Sequence, residues 1–282
     1  MTAQDRALAA LGLDGVPALQ PLTYPGLPVT APSLLTGTEL LALRARPGGL
    51  GAWAVDGAAG AGHGLPGPHS TLDDVLGALG QPPVAGRHPV VAVGSNASPG
   101  QLAHKLGRLG IPGAVPMVPV RLRGIGVGCS AHIGRAGYVA AAPYARAGAR
   151  LTLVVSWLDP AQLPAIDATE LPNYRRIPLS GDAYDMTLPS GERLAGASVY
   201  VSARGVLADP LTGLPRPGGG DQAALLDALL DASPPLRELL GPDAAAWVRR
   251  AAADPELRER GTLLFAEEGW VLPWTELPDP SV

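Results

Sequence analysis

Apolar residues along the chain fall into short runs broken by glycine and proline. Their spacing changes from one third of the sequence to the next. In residues 1–46, short apolar stretches alternate with Pro and Gly. There, Thr36-Gly37-Thr38-Glu39 ahead of LLALRAR predicts a short helix capped by Thr36 or Thr38. Residues 47–70 hold one apolar burst, AWAV, and otherwise read as linker or loop. TLDDVLGALG (71–80) predicts a short helix with Ser70 or Thr71 as its N-cap.

From His88 the texture is β-branched. HPVVAV (88–93) predicts a buried strand that stops at Gly94-Ser95-Asn96. Ser98 and Pro99 then supply an N-cap and a first helical position for PGQLAHKLGRL. Strands are expected at 115–127, 136–142 and 150–158. Asp159-Pro160 opens a helix that ends near Leu171-Pro172, and strands return at 173–179, 183–188 and 193–202. Many short strands with two short helices predict a small barrel or a strongly curved sheet, and exclude a doubly wound α/β fold. Residues 205–220 form a Pro/Gly-rich connector, 222–260 are helical, and TLLFAEEGWVLPW (262–274) predicts a strand pair turning at Glu268-Gly269. The chain has no internal repeat.

Composition adjusts this picture. Glycine (37) and proline (31) make up about a quarter of the 282 residues, but 46% are hydrophobic, enough to bury a core. With Phe265 the only phenylalanine, that core is built from Leu, Val, Ala and a few Trp and Tyr. Trp247, Trp270 and Trp274 are expected in a core or an interface, and Leu225, Leu226, Leu229 and Leu230 form a helical face packed on its own domain. Lys105 is the only lysine among 21 basic residues, against 25 acids and a net charge of −4. Such a balance argues against nucleic acid as a partner, a local patch such as Arg121/Arg123 apart. No run of about 18 apolar residues predicts a membrane span. The single Cys129 forbids an internal disulfide, and no basic start precedes an apolar run, so a soluble cytoplasmic protein is expected.

Two segments combine polar residues with a setting suited to chemistry. Val93-Gly94-Ser95-Asn96 lies between a strand and a helix N-terminus, where main-chain N–H groups and the helix dipole make a seat for a carboxylate or an oxyanion. An ordinary strand-to-helix connection is the plainer alternative. In the second segment, Asp167 and Glu170 share one helical face near a C-terminus. A like charge nearby, or partial burial, would raise such a carboxyl toward the range of a general base. The alternative is an acidic helix end paired with Arg175 or Arg176. Other constellations are poor. Cys129 and His132 have a ligand spacing but too few companions for zinc, His63, His69, His88 and His104 do not cluster, and a buried structural Cys with an exposed His is expected instead. Gly124-x-Gly126-x-Gly128 opens no helix, and no nucleophile-elbow or phosphate-loop motif occurs.

Taken in order, Val93-Gly94-Ser95-Asn96 before a helix, Ile166-Asp167-Ala168-Thr169-Glu170 at a later helix end, Tyr174-Arg175-Arg176 on the next strand and Tyr200 on a later one resemble the γ-glutamylcyclotransferase-like family. The resemblance covers roughly residues 88–203. It implies an α+β fold, a small mixed β-barrel, flanked by an N-terminal extension (1–87) and a helical C-terminal extension (204–282) ending in a strand or hairpin. Residues 1–87 are expected to wrap the barrel. It implies closure of a γ-glutamyl amide to 5-oxoproline with release of an amine or amino acid, without metal or organic cofactor. Glu170 takes the general acid/base role, and Val93, Gly94, Ser95, Asn96, Ala97 and Tyr200 bind the small-molecule substrate. The sequence departs from the family at Val93, where a tyrosine is usual, and at Ala97, often leucine. Those departures and the long flanks keep two rivals in view: a non-catalytic ligand-binding or interaction protein that kept the fold, and a different amide-processing reaction in the same pocket.

Overall fold

The computed structural model describes residues 3–56 and 70–272. A one-turn helix α1 (Ala3–Arg6) leads to strands β1 (Ser33–Thr36), β2 (Glu39–Arg44) and β3 (Ala54–Val55), then helix α2 (Leu72–Ala78). Strand β4 (His88–Ala92) feeds a 3-10 turn at Ser95–Ala97 and helix α3 (Pro99–Arg108). Next come the long strands β5 (Ala114–Ile133) and β6 (Val139–Leu158), helix α4 (Gln162–Glu170), and strands β7 (Tyr174–Ser180), β8 (Met186–Thr187), β9 (Gly196–Ser202) and β10 (Val206–Leu207). Helices α5 (Gln222–Ala232), α6 (Pro234–Leu240), α7 (Ala244–Ala253) and α8 (Pro255–Glu267) precede the short β11 (Val271–Leu272).

One mixed sheet runs β3-β2-β1-β5-β6-β4-β9-β7, with β8 and β10 also on β5 and β11 on β10. Its parallel pair is β4 with β9. The architecture is α+β as expected, built on a large sheet whose strand order is not closed. The outer edge of β5 is occupied by β1, Ser33–Thr36 lying antiparallel to residues 114–117, and then by β8, and among the described residues the path runs from β3 to β7. Strand alternation sorts the core to two faces. Leu34, Val91, Val118 and Val120 join Trp53, Leu72, Val75 and Leu76 under α2. Leu35, Val90 and Met117 face Leu102 and Leu106 of α3 and Leu163 and Ile166 of α4. A third cluster packs α5–α8 on the far ends of β5 and β6.

Several expectations are met. Thr71 caps α2 with a reciprocal box to Asp74, and Asp159 Oδ1 accepts the first free N–H groups of α4. Ser98 stands at the N-cap of α3, although its hydroxyl makes no capping hydrogen bond. Others are corrected. The helix expected at 40–46 is strand β2. Gly37, at φ +63, closes a tight hairpin, and Leu41 and Leu43 alternate inward with period two. The separate strands expected across 115–158 are two twenty-residue strands of one hairpin, bent by a register shift between Arg123 and Ile125. Of the strand pair expected at 262–274, the first member is the end of α8, and the second is the short strand β11, paired with β10. Phe265 is buried between Trp247 and Trp270, and Gly269, at φ +71, terminates the turn after the helix. Trp274 and most of the expected linker lie outside the described residues. Among the described residues no helix is long and apolar enough to cross a membrane.

Arg87 ties the sheet to the start of α4. It is 5% exposed, and its guanidinium donates to the carbonyls of Pro82 (3.0 Å), Ala114 (2.9 Å) and Trp157 (3.2 Å). Gln162 of α4 donates to Pro112 (2.7 Å) and Ala114 (3.2 Å) beside it. Arg87→Met keeps the apolar stem and removes the donors. It is expected to cost about 1–3 kcal/mol in urea unfolding, the penalty for leaving buried carbonyls short of a partner.

Candidate active site

The two polar segments singled out in the sequence meet across 74 residues. At the end of β4 the chain turns through Val93 and Gly94 into the Ser95–Ala97 turn, which aims Asn96 at the C-terminal end of α4. Asn96 Nδ2 donates to Glu170 Oε1 at 3.0 Å. Lys105, two turns into α3, donates from Nζ to Glu170 Oε1 at 2.7 Å and to Asn96 Oδ1 at 2.8 Å. The three side chains close a triangle. Lys105 and Glu170 are each 15% exposed. Among the described residues all the hydrogen bonds to the carboxylate fall on Oε1, Thr169 Oγ1 at 3.4 Å included, and Oε2 is left open.

This triangle lies in the wall of a cavity of about 1020 Å³, at the upper end of the roughly 300–1,000 Å³ typical of ligand sites. Val93, Gly94, Ser95, Asn96, Glu170 and Tyr200 line it, together with Tyr24, His132, Tyr138 and Tyr174. Ala97 does not line it. Its carbonyl instead accepts Val29 N–H and holds the N-terminal segment in place. The N–H groups of Ser95 and Asn96 stand at the start of the 3-10 turn, where no acceptor exists within the turn itself.

The charge state of Glu170 is the reverse of the sequence expectation. Burial pushes its carboxyl up. The Lys105 ammonium and the hydrogen bonds from Lys105, Asn96 and Thr169 outweigh that push, and the net shift is below the ordinary value. Asp167 exerts no opposing effect because it is engaged elsewhere. Arg176 Nε and Nη2 donate to it at 2.8 and 3.0 Å, which lowers its pKa, and Tyr200 Oη donates at 2.7 Å. The arginine-paired alternative is therefore correct for Asp167. Tyr200 presents its ring to the cavity while its hydroxyl is committed to Asp167.

Sequence reading missed three residues here. Lys105 carried one signal, its being the only lysine in the chain. Tyr24 carried none, because the contact that places it spans 117 residues: Ala141 N–H donates to Tyr24 Oη at 2.7 Å. Burial raises the pKa of Tyr24, so its hydroxyl stays protonated, and that proton has no acceptor among the described residues. Its ring stacks on Tyr138 at 4.4 Å, and Tyr174 Oη donates to the carbonyl of the same Ala141 at 2.9 Å. His132, expected to be exposed, is buried at 3%. Its Nδ1 is hydrogen-bonded to Ser130 at 2.6 Å, and burial brings its pKa down to about 4, so the imidazole is neutral at pH 7. Cys129 is buried, with its thiol pushed up to about 11, as a structural cysteine should be. Among the described residues no group of three His, Cys, Asp or Glu is placed to hold a metal.

Gly94 is required for space. Its φ of −135° suits any residue, but a Cβ there would lie 2.2 Å from Tyr24 Oη and 3.3 Å from Cζ. Gly94→Ala is expected to cost about 1–3 kcal/mol by overpacking. In a Tyr24→Phe background the cost should be smaller, since the closest atom is gone. A double-mutant cycle by urea unfolding measures the difference.

A second expectation concerns protons. In Lys105→Met, burial acts on Glu170 unopposed by the ammonium, so its carboxyl should titrate at higher pH than in the wild type. Lys105→Arg should keep it low. A carbon-13 NMR titration of Glu170 reads both. Because the folded pKa is depressed, the stabilisation from this pair is complete above the unfolded carboxylate pKa and is lost as pH falls through the folded one.

No family model matches the chain, and no curated protein matches it by sequence. Among solved structures it is similar to a protein described as a gamma-glutamyl cyclotransferase, at 15% identity and a TM-score of 0.32, over 41% of this chain and 66% of that one. It is similar to a protein from Arabidopsis thaliana at 19% identity and a TM-score of 0.31, over 41% of this chain and 62% of that one. The chain thus spans just under two thirds of the length of each. A yeast gamma-glutamyl cyclotransferase specific to glutathione is matched at 13% identity and a TM-score of 0.31, over 58% of this chain and 97% of that one. The solved structures similar to this chain thus include gamma-glutamyl cyclotransferases.

Proposed function

We propose that the chain is a γ-glutamylcyclotransferase-like enzyme that closes a small-molecule γ-glutamyl amide to 5-oxoproline, with Glu170 as general acid/base. The observation that carries this reading is the open Oε2 of Glu170 in a cavity shared with the Gly94–Asn96 turn. Asn96 and Lys105 hold Oε1, so the carboxylate is fixed and ionised while its second oxygen is available to a proton.

The reaction needs an α-amine free to attack the γ-carbonyl carbon. An α-ammonium placed at Oε2 would sit near the Lys105 charge, and a like charge eases its deprotonation. Glu170 takes the proton, the amine nitrogen bonds to the γ-carbon, and the bond to the departing nitrogen breaks as that nitrogen is protonated. Two protons leave the attacking nitrogen and two reach the departing one, so none is consumed. A protonated Glu170 beside Lys105 is a ready acid, which suits it to return the proton. The N–H groups of Ser95 and Asn96 and the hydroxyl of Tyr24 are the donors for the substrate carboxylate or the developing oxyanion.

A second reading, a non-catalytic binding protein, draws on the same ion pair, because a carboxylate held low by Lys105 is a weak base. One experiment separates the two. Purified protein is incubated with a panel of γ-glutamyl amines and dipeptides, and 5-oxoproline is measured by mass spectrometry. Release is expected from the wild type, with Glu170→Gln slower by about 10²–10⁴-fold. Full turnover in Glu170→Gln would overturn the assigned role, and saturable binding without release would favour the second reading.

A further inference from the structure

The charge on the cavity wall is opposite in sign to that of the whole chain. The protein carries a net −4, yet one end of the cavity gathers Arg135, Arg204 and Arg258 with a single carboxylate, Glu259. The C-terminal helices bring these groups together. Ile133 N–H at the end of β5 donates to Thr262 Oγ1 of α8 at 3.1 Å, which sets Arg135, two residues on, beside the face of α8 that carries Arg258 and Glu259. Arg204, just past β9, reaches Glu259 at 3.4 Å. Arg258 Nη1 is anchored on the carbonyl of Ala251 at 2.7 Å and meets no carboxylate, and Arg135 has neither an acid nor a hydrogen-bond partner among the described residues. His132 nearby is neutral at pH 7. Three guanidiniums against one carboxylate leave two positive charges unbalanced at the partly solvent-exposed margin of the cavity.

Resting on the cyclotransferase reading above, we propose that this end of the cavity is a subsite for a leaving group carrying two negative charges, so that the preferred substrates are acidic γ-glutamyl peptides. A glutamyl group alone leaves most of the cavity unfilled. The Glu170 triangle lies between α3 and α4, and the arginines lie toward α8, so the part of the substrate beyond the scissile amide meets the guanidiniums. Arginine forks donate two parallel hydrogen bonds to a carboxylate. Two carboxylates on the departing amino acid match the unbalanced charge.

The test compares γ-glutamylglutamate with γ-glutamylglutamine, which differ by one charge at nearly constant size, and with γ-glutamylbutylamine, whose leaving group has no carboxylate. Turnover is read as 5-oxoproline release, and binding to Glu170→Gln is read separately by calorimetry. For the wild type, kcat/KM should favour γ-glutamylglutamate over γ-glutamylglutamine by about tenfold or more, with the advantage shrinking as salt is added. Arg258→Gln and Arg135→Gln should each bring the ratio toward one. A ratio near one in the wild type, with 5-oxoproline released, would overturn the subsite and leave the reaction assigned. Charge-dependent binding that Arg258→Gln removes, without 5-oxoproline from any peptide, would support the subsite and overturn the reaction. Binding indifferent to charge, with no turnover, would overturn both.

Discussion

The ion pair between Lys105 and Glu170 is the constraint around which the site is arranged. Two charges that keep only a sixth of their side-chain surface in water are stable when each has polar partners, and Asn96 provides them by donating to the carboxylate and accepting from the ammonium. That requirement fixes the distance between α3 and α4 and the path of the turn between β4 and α3. The parallel contact of β4 with β9, the lock of Arg87 and Gln162 on the start of α4, and the seat of Leu102, Leu106, Leu163 and Ile166 under the sheet all bring the three groups within reach.

Part of the cavity wall around this pair is polar without being charged. Tyr24, Tyr138 and Tyr174 are held protonated by burial, and His132 is held neutral. Tyr24 and Tyr174 grip the two main-chain atoms of a single residue, Ala141, one at its N–H and one at its carbonyl. The centre of the sheet thus borrows its side-chain order from residue 24, near the start of the chain, and residue 174, past its middle. Fixed neutral dipoles of this kind hold their orientation when charge develops nearby, which water does not.

How far the sequence could show this depends on the range of each interaction. The strand ending at Ala92, Pro99 opening α3 and the helix ending at Glu170 follow from local spacing and capping, and all three were legible. So was the pairing of Asp167 with Arg176, as one of two alternatives. The charge state of Glu170 was not, because it depends on Lys105, a residue 65 positions away. Val93 read as the loss of an aromatic hydroxyl near the turn. The structure places the Tyr24 hydroxyl against Gly94, from a segment whose Pro/Gly texture gave no such sign. LLALRAR read as a helix because capping residues precede it, and hairpin pairing with β1, itself seated on the edge of β5, made it a strand. The α8 segment read as strands because its glycine and aromatics resemble a hairpin, while Phe265 packs between two tryptophans only in the folded chain.

At the tip of the long hairpin, Gly137 lies so close to α7 that a Cβ would meet the backbone of Val248 at 2.8 Å, and Trp247 Nε1 donates to the Gly137 carbonyl at 2.9 Å. Main chain rests on main chain there, with no side chain between them to adjust. Strand register repeats every two residues, so one residue gained or lost at this tip would turn the inward faces of β5 and β6 outward or detach the tip from α7. The hairpin has room to change elsewhere, as at the bulge around Gly148, where a Cβ would meet nothing, but its tip has a fixed length. The length of the turn at Gly137 is therefore set by contact with α7 and not by its own side chains.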